Sequence, residues 1–212
     1  MFLSVVSPAS RTLATCLTRA APRVTATMVS RTERFFSTVD EGDMPTSSEG
    51  VFRKIACIGT GKMAQAILHP LIEQGVQPAD GFTVFDAQPV TMQKLQEKYG
   101  VQTADSIPEA LADADMILCA VKPQNLTEQF FEECRKANPT EESIFLSVIA
   151  GKPSATYERG GFSKIVRSMP NTPATIGQGM TVWSCTPNLT AQERKKIRTI
   201  LSSTGKSVRD CG

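Results

Sequence analysis

The sequence contains no uninterrupted apolar run approaching the roughly eighteen residues that a membrane-spanning helix requires, so such a helix is excluded. It also lacks charge imbalance. With 23 Lys and Arg against 21 Asp and Glu, the net charge is only +2, which leaves no broad basic surface for nucleic acid. Histidine is almost absent, and the six cysteines, at positions 16, 57, 119, 134, 185 and 211, include no CxxC pair. His69 alone cannot complete a zinc site with thiols so dispersed, and none of them has an evident histidine to activate it as a nucleophile. Cys57 and Cys119 lie inside apolar runs, where a thiol behaves as a small hydrophobe, and this usage fits a reducing compartment. What is left is a globular chain of 212 residues with 41% hydrophobic content, enough for one core and a small appendage. The expected partner is a small molecule.

Residues 1–38 have a composition unlike the rest. They hold Arg11, Arg19, Arg23, Arg31 and Arg34, no lysine, twelve Ser or Thr and a single acid, Glu33. The arginines are spaced by apolar residues, as an amphipathic import helix needs, and Arg34-Phe35-Phe36-Ser37 resembles a processing site, so the segment reads as a mitochondrial transit peptide. A plastid address, or a basic tail on a cytoplasmic protein, is the alternative. Residues 39–50 turn acidic and polar and mark a linker before a folded part at 51–212.

From Val51 onward, short apolar runs alternate with helical patterns. Strands are expected at Lys54–Ile58, Phe82–Phe85, Met116–Val121, Ile144–Ile149, Lys164–Ser168 and Met180–Trp183. Helices are expected at Gly61–Gln74, Pro89–Tyr99, Asn125–Ala137 and Thr190–Ser203, the last opened by the capping-box pattern Thr190-x-x-Glu193. Continuous apolar strands with intervening helices predict a doubly wound α/β fold, with a mainly parallel sheet covered on both faces. Pro70 interrupts the first helical pattern, where it removes a backbone donor and predicts a bend, or the end of a short helix, at a cost of about 3 kcal/mol.

The first strand runs straight into Ile58-Gly59-Thr60-Gly61-Lys62-Met63-Ala64, a Gly-x-Gly-x-x-Ala loop that opens a helix. This is the dinucleotide fingerprint in its required context: Gly59 permits the tight turn, Gly61 lets the backbone approach a pyrophosphate, and Ala64 keeps helix and sheet close. The helix N-terminus supplies the anion site through its free N–H groups, which leaves Lys62 as a solvated flank. Asp86 ends the second strand. A carboxylate there meets the adenosine ribose and favours NADH over NADPH, or it simply starts the turn before Ala87-Gln88-Pro89.

Ligands of such sheets sit beyond the carboxyl ends of the strands. The third apolar strand breaks at Ala120-Val121-Lys122-Pro123, where backbone groups are better candidates for cofactor contact than the Lys122 amine. The next strand ends in Ile149-Ala150-Gly151, small enough for close approach of a nicotinamide. Asn171, in the two-proline loop after Arg167, either hydrogen-bonds a carboxamide or substrate or serves the turn.

These segments together resemble the pyrroline-5-carboxylate reductase family over about residues 53–210. The resemblance rests on Ile58–Ala66, Ala120–Gln124, Ser147–Gly151 and, most diagnostic, Arg167-Ser168-Met169-Pro170-Asn171-Thr172-Pro173-Ala174. It implies reduction of 1-pyrroline-5-carboxylate to L-proline by hydride transfer from NADH or NADPH. Two departures stand out. The family usually carries Ser or Asn where this chain has Asp86, often beside a base suited to NADPH. It also continues into a helical domain that forms the homo-oligomer and faces the imine, and this sequence stops before it. The implied expectations are therefore that no residue present acts as an identifiable general acid, that exposed apolar surface promotes association, and that the rival functions are a dinucleotide-sensing module without catalysis or a related imine or hydroxyacid reductase.

Overall fold

A computed structural model describes residues 50–171, 173–174 and 178–209; the transit-peptide reading of 1–38 and most of the linker fall outside the described residues. The strands are β1 (Ile55–Ile58), β2 (Phe82–Phe85), β3 (Gln102–Thr103), β4 (Met116–Cys119), β5 (Ile144–Ser147), β6 (Lys164–Pro170), β7 (Gly179–Cys185) and β8 (Gly205–Arg209). The helices are α1 (Lys62–Glu73), α2 (Pro89–Tyr99), α3 (Ile107–Leu111), α4 (Glu128–Lys136), α5 (Ala155–Glu158) and α6 (Ala191–Ser202).

All eight strands join one sheet in the order β3-β2-β1-β4-β5-β6-β7-β8. Every neighbouring pair is parallel except β6 with β7. The chain starts in the middle at β1, winds outward through β2 and β3, then returns to β4 on the other side of β1. That reversal creates a crevice between β1 and β4 at the carboxyl ends of the strands.

The central strands β1, β4 and β5 are buried at every position, which is why their sequences read as unbroken apolar runs. Successive side chains nevertheless feed opposite layers. Ile55, Cys57, Met116, Leu118, Ile144 and Leu146 join Ile67, Leu68 and Leu71 of α1, Leu95 of α2 and Ile197, Ile200 and Leu201 of α6. Ala56, Ile58, Ile117, Cys119 and Phe145 pack instead with Leu111 of α3, Phe130, Phe131 and Cys134 of α4 and Tyr157 of α5. Each fully buried Leu, Ile or Phe contributes about 1.5–3 kcal/mol, so these two layers dominate the stability of the fold. The layers thin at β6 and β7, where Met169, Met180 and Val182 stay exposed.

Several boundaries differ from those expected. β4 and β5 stop at Cys119 and Ser147, so Ala120–Val121 and Val148–Ile149 leave the ladder as loop. β6 and β7 are longer than predicted because they pair antiparallel, Met169 opposite Val182 and Pro170 opposite Thr181. The stretch before α4 is a 3-10 turn at Pro123–Asn125, and Thr127 then caps α4 by accepting a hydrogen bond from the Phe130 N–H. Pro70 does not end its helix: α1 continues to Glu73, held down by buried Ala66, Ile67, Leu68 and Leu71. β3, β8, α3 and α5 were not anticipated.

Candidate cofactor site

The loop between β1 and α1 occupies the switch-point crevice, and its shape follows from two glycines with different duties. Gly59 has φ +90°, and a Cβ built on it would lie 2.8 Å from the carbonyl carbon and oxygen of Ala120. Its N–H donates to the Phe85 carbonyl at 2.8 Å, while the Ala120 N–H donates to Ile58 at 2.8 Å. The turn is thus wedged between the ends of β2 and β4, and only glycine fits. Gly61 is the opposite case: its φ is −67°, and a Cβ there would meet nothing within 4 Å. The fold makes no demand for glycine at 61. The space beside it is what a closely approaching ligand would use.

Thr60, between them, is fully buried. Its N–H and its hydroxyl both donate to Asp86 Oδ2, at 2.7 and 3.0 Å, and its carbonyl accepts from Gln65 Nε2 at 2.8 Å. Cys57 donates its thiol to the Gly59 carbonyl at 3.3 Å. Burial pushes the Cys57 thiol pKa far up and that of Cys119 up to about 12, so both remain neutral packing groups.

Behind this rigid loop, α1 begins without help. Gly61 at its N-cap offers no side-chain hydrogen bond and the first turn holds no acid, whereas α3, α4 and α6 are capped by Ser106, Thr127 and Thr190. The Gln65 N–H donates to the Gly61 carbonyl at 3.0 Å, which leaves the amides before it facing the crevice. A twelve-residue helix with free N–H groups and the positive end of its dipole facing a crevice is suited to a phosphate. Lys62 is exposed, as a solvated flank should be, and Met63 is half-buried.

The remaining predicted residues line the same rim. Ala120 and Val121 are half-buried and Lys122 is exposed at the start of the turn to Pro123, its carbonyl accepting from Asn125 N–H at 2.9 Å. Ile149 is buried and Ala150 exposed; the Ile149 N–H donates to Ser147 Oγ at 3.1 Å, and Ser147 Oγ is 2.7 Å from the buried Tyr157 hydroxyl. Tyr157 is held above the ordinary phenol range by burial, so it stays protonated in this network. Asn171 is exposed, and its Oδ1 accepts from the Met180 N–H at 2.9 Å, which ties the loop to β7. Asp86 does start a turn, because Oδ1 accepts from the Gln88 N–H at 2.9 Å, yet its other oxygen clamps the phosphate loop.

Sequence reasoning missed one part of the site. A cavity of about 520 Å³ opens beside Asp86, lined by Phe85, Ala87, Ile107, Asn125, Thr127 and Phe130, with Asp105, Ser106, Gln129 and Glu133 at its polar parts. Two apolar rings and several hydrogen-bonding groups suit a flat, polar-edged ring system. Its residues come from three separate segments, 85–87, 105–107 and 125–133, and no short motif announces them.

Strand order, switch-point glycine loop and uncapped helix define the class: a Rossmann-type, mainly parallel α/β fold. Comparison with known proteins narrows it. A family model described as NADP oxidoreductase, coenzyme F420-dependent, matches residues 54–151. The pyrroline-5-carboxylate reductase of Escherichia coli K12 is 36% identical over 138 residues, covering 64% of this chain and 50% of that protein. Its counterpart in Methanosarcina acetivorans is 29% identical over 158 residues, covering 74% of this chain and 58% of the relative. The solved pyrroline-5-carboxylate reductase of Coxiella burnetii is similar with TM-score 0.70 and 26% identity, over 76% of this chain and 59% of that one. An NADP-bound pyrroline carboxylate reductase of Plasmodium falciparum shares the fold at TM-score 0.61 and 22% identity, over 74% of this chain and 57% of that one. The chain is thus similar to pyrroline-5-carboxylate reductases, and it spans about half the length of the curated relatives it matches.

Proposed function

We propose that this chain supplies the cofactor-binding part of an NAD(P)H-dependent reductase that converts 1-pyrroline-5-carboxylate to L-proline, the last step of proline biosynthesis. The observation that carries the reading is the open N-terminus of α1 behind a glycine loop whose second glycine, Gly61, faces empty space. When bound, the reduced nicotinamide supplies a hydride for the imine carbon, and a proton on the imine nitrogen completes the amine.

The residues of this chain bind and orient. Ile58, Gly59, Thr60, Gly61, Lys62 and Met63 form the cradle for the pyrophosphate, with Thr60 locked by Asp86 so that the backbone donors are in place before a ligand arrives. The cavity beside Phe85, Ala87 and Ile107 receives the adenosine end. Ala120, Val121, Lys122 and Pro123, with Ile149, Ala150 and Asn171 across the rim, form the wall for the nicotinamide end. The Tyr157–Ser147–Ile149 hydrogen bonds hold that wall.

The test is a single preparation of the chain, titrated calorimetrically with NADH and NADPH while pyrroline-5-carboxylate reduction is followed from the loss of reduced-nicotinamide absorbance. Dinucleotide binding with turnover supports the reductase. Binding without turnover favours a sensing module, and a preference for other imines or for hydroxyacids favours a related reductase. Binding of neither dinucleotide contradicts the proposal altogether.

A further inference from the structure

The adenosine end of the site has a charge pattern that decides between the two dinucleotides. NADH and NADPH differ only there: one carries a ribose hydroxyl, the other a phosphate bearing close to two negative charges at neutral pH. Asp86 stands between Phe85 and Ala87, both of which line the cavity. Its carboxylate is not free to swing aside. Oδ2 is held by the N–H and hydroxyl of buried Thr60 and Oδ1 by the Gln88 N–H, so three hydrogen bonds fix the negative charge at the mouth of the phosphate loop.

The surroundings do nothing to offset it. The charged side chains lining the cavity are both acidic, Asp105 and Glu133, and no lysine or arginine lines it. Glu133 is ion-paired with Lys136 one turn along α4. Asp105 has no ion pair among the described residues. From Asp86 through Gln93 the chain carries no basic residue. A 2′-phosphate would therefore be placed near an immobilised carboxylate with no cation to neutralise it, whereas a ribose hydroxyl can donate to the lone pairs of Asp86 that remain free.

On these grounds we propose that the site selects NADH against NADPH, and that Asp86 is the residue responsible, by the charge of its carboxylate. This rests on the dinucleotide reading of the site and goes beyond it. It differs from the NADP bound in the similar fold from Plasmodium falciparum, which is 22% identical to this chain. Asp86 has a second duty as the clamp of Thr60, so charge and clamp must be separated experimentally.

Asp86→Asn does this, because an amide oxygen still accepts from the Thr60 N–H while the charge is gone; Asp86→Ala removes both. Dissociation constants for NADH and NADPH are measured by calorimetry on the full chain and on each variant, with thermal melts to establish that each is folded. The wild type is expected to bind NADH at least about tenfold more tightly than NADPH, and Asp86→Asn to shrink that ratio by at least about tenfold. Raising the salt concentration should shrink the wild-type ratio and leave that of Asp86→Asn little changed, because screening acts only where the repulsion exists. Asp86→Ala is expected to weaken both ligands through the loosened loop. Equal or tighter binding of NADPH by the wild type, or an unchanged ratio in Asp86→Asn, would overturn the proposal with the dinucleotide site intact. Failure of both ligands to bind any form would instead remove the dinucleotide reading, and this inference with it.

Discussion

At the residue scale, two glycines two positions apart offer opposite predictions. Gly59→Ala forces an L side chain to φ +90° and against the Ala120 carbonyl 2.8 Å away, and should cost about 2–3 kcal/mol of stability. Gly61→Ala meets no atom and keeps an ordinary φ, so the poorer N-cap is partly offset by the stiffer unfolded chain, and urea unfolding should place it within about 1 kcal/mol of the wild type. Its Cβ would nevertheless stand where the pyrophosphate approaches, and dinucleotide affinity should fall by at least about tenfold. Equal effects on stability, or unimpaired binding in Gly61→Ala, would contradict the division of labour. The glycines were legible because their chemistry is local: a strand, a turn needing positive φ and a helix start lie within eight residues. Asp86 was legible as a position and not as a partner. Its bonds to Thr60 cross 26 residues of sequence, and only the pairing of β1 with β2 brings them together. Asn171 is similar: its side chain turned out to brace the Met180 N–H across the loop.

At the element scale, α6 shows how a cap is joined to the core. Glu193 accepts from the N–H of Thr190 at 2.7 Å and from its hydroxyl at 2.9 Å, while Thr190 Oγ1 accepts from the Glu193 N–H at 3.2 Å, which completes the anticipated capping box. The other Glu193 oxygen accepts from Lys164 Nζ at 2.7 Å, and Lys164, buried at the start of β6, also pairs with exposed Glu142. Burial alone would raise the Glu193 pKa, but the hydrogen bonds from Lys164 and Thr190 together outweigh it and bring the carboxyl below its ordinary value of 4.5. A folded pKa below the unfolded one means that the stability from Glu193 is present above pH 4.5 and lost as pH falls through the folded value. Glu193→Gln should therefore cost about 1 kcal/mol, or about 2–4 °C in Tm, near neutrality. The difference should fade as the melts are repeated toward pH 3 or so. A constant difference across that range would show that the charge is not what matters. Long, strongly patterned elements such as α2 and β2 were readable to the residue, α2 because Pro89 opens it and Gly100 at φ 76° closes it. β3, with two residues, α3 and α5 carry too little periodicity to announce themselves, and the antiparallel pairing that extends β6 and β7 has no local signal at all.

At the scale of the whole molecule, the fold class followed from the alternation of buried strands and amphipathic helices, since a parallel sheet needs cover on both faces. The cavity beside Asp86 could not be foreseen in that way. It exists because β2, the loop before α3 and the start of α4 converge at one corner of the sheet, an arrangement fixed by strand order and not by any motif. The same strand order puts the glycine loop, the acidic cavity beside Asp86 and the Ile149 wall along one rim, as a single extended ligand would require. A nicotinamide dinucleotide is expected to lie along this rim, and hydrogen exchange of the chain's backbone amides with and without saturating NADH tests that directly. Protection should concentrate at residues 59–64, 85–88, 105–107 and 120–127, extending to 148–151, with the strand interiors unchanged. Protection that falls elsewhere, or none at saturation, would contradict it.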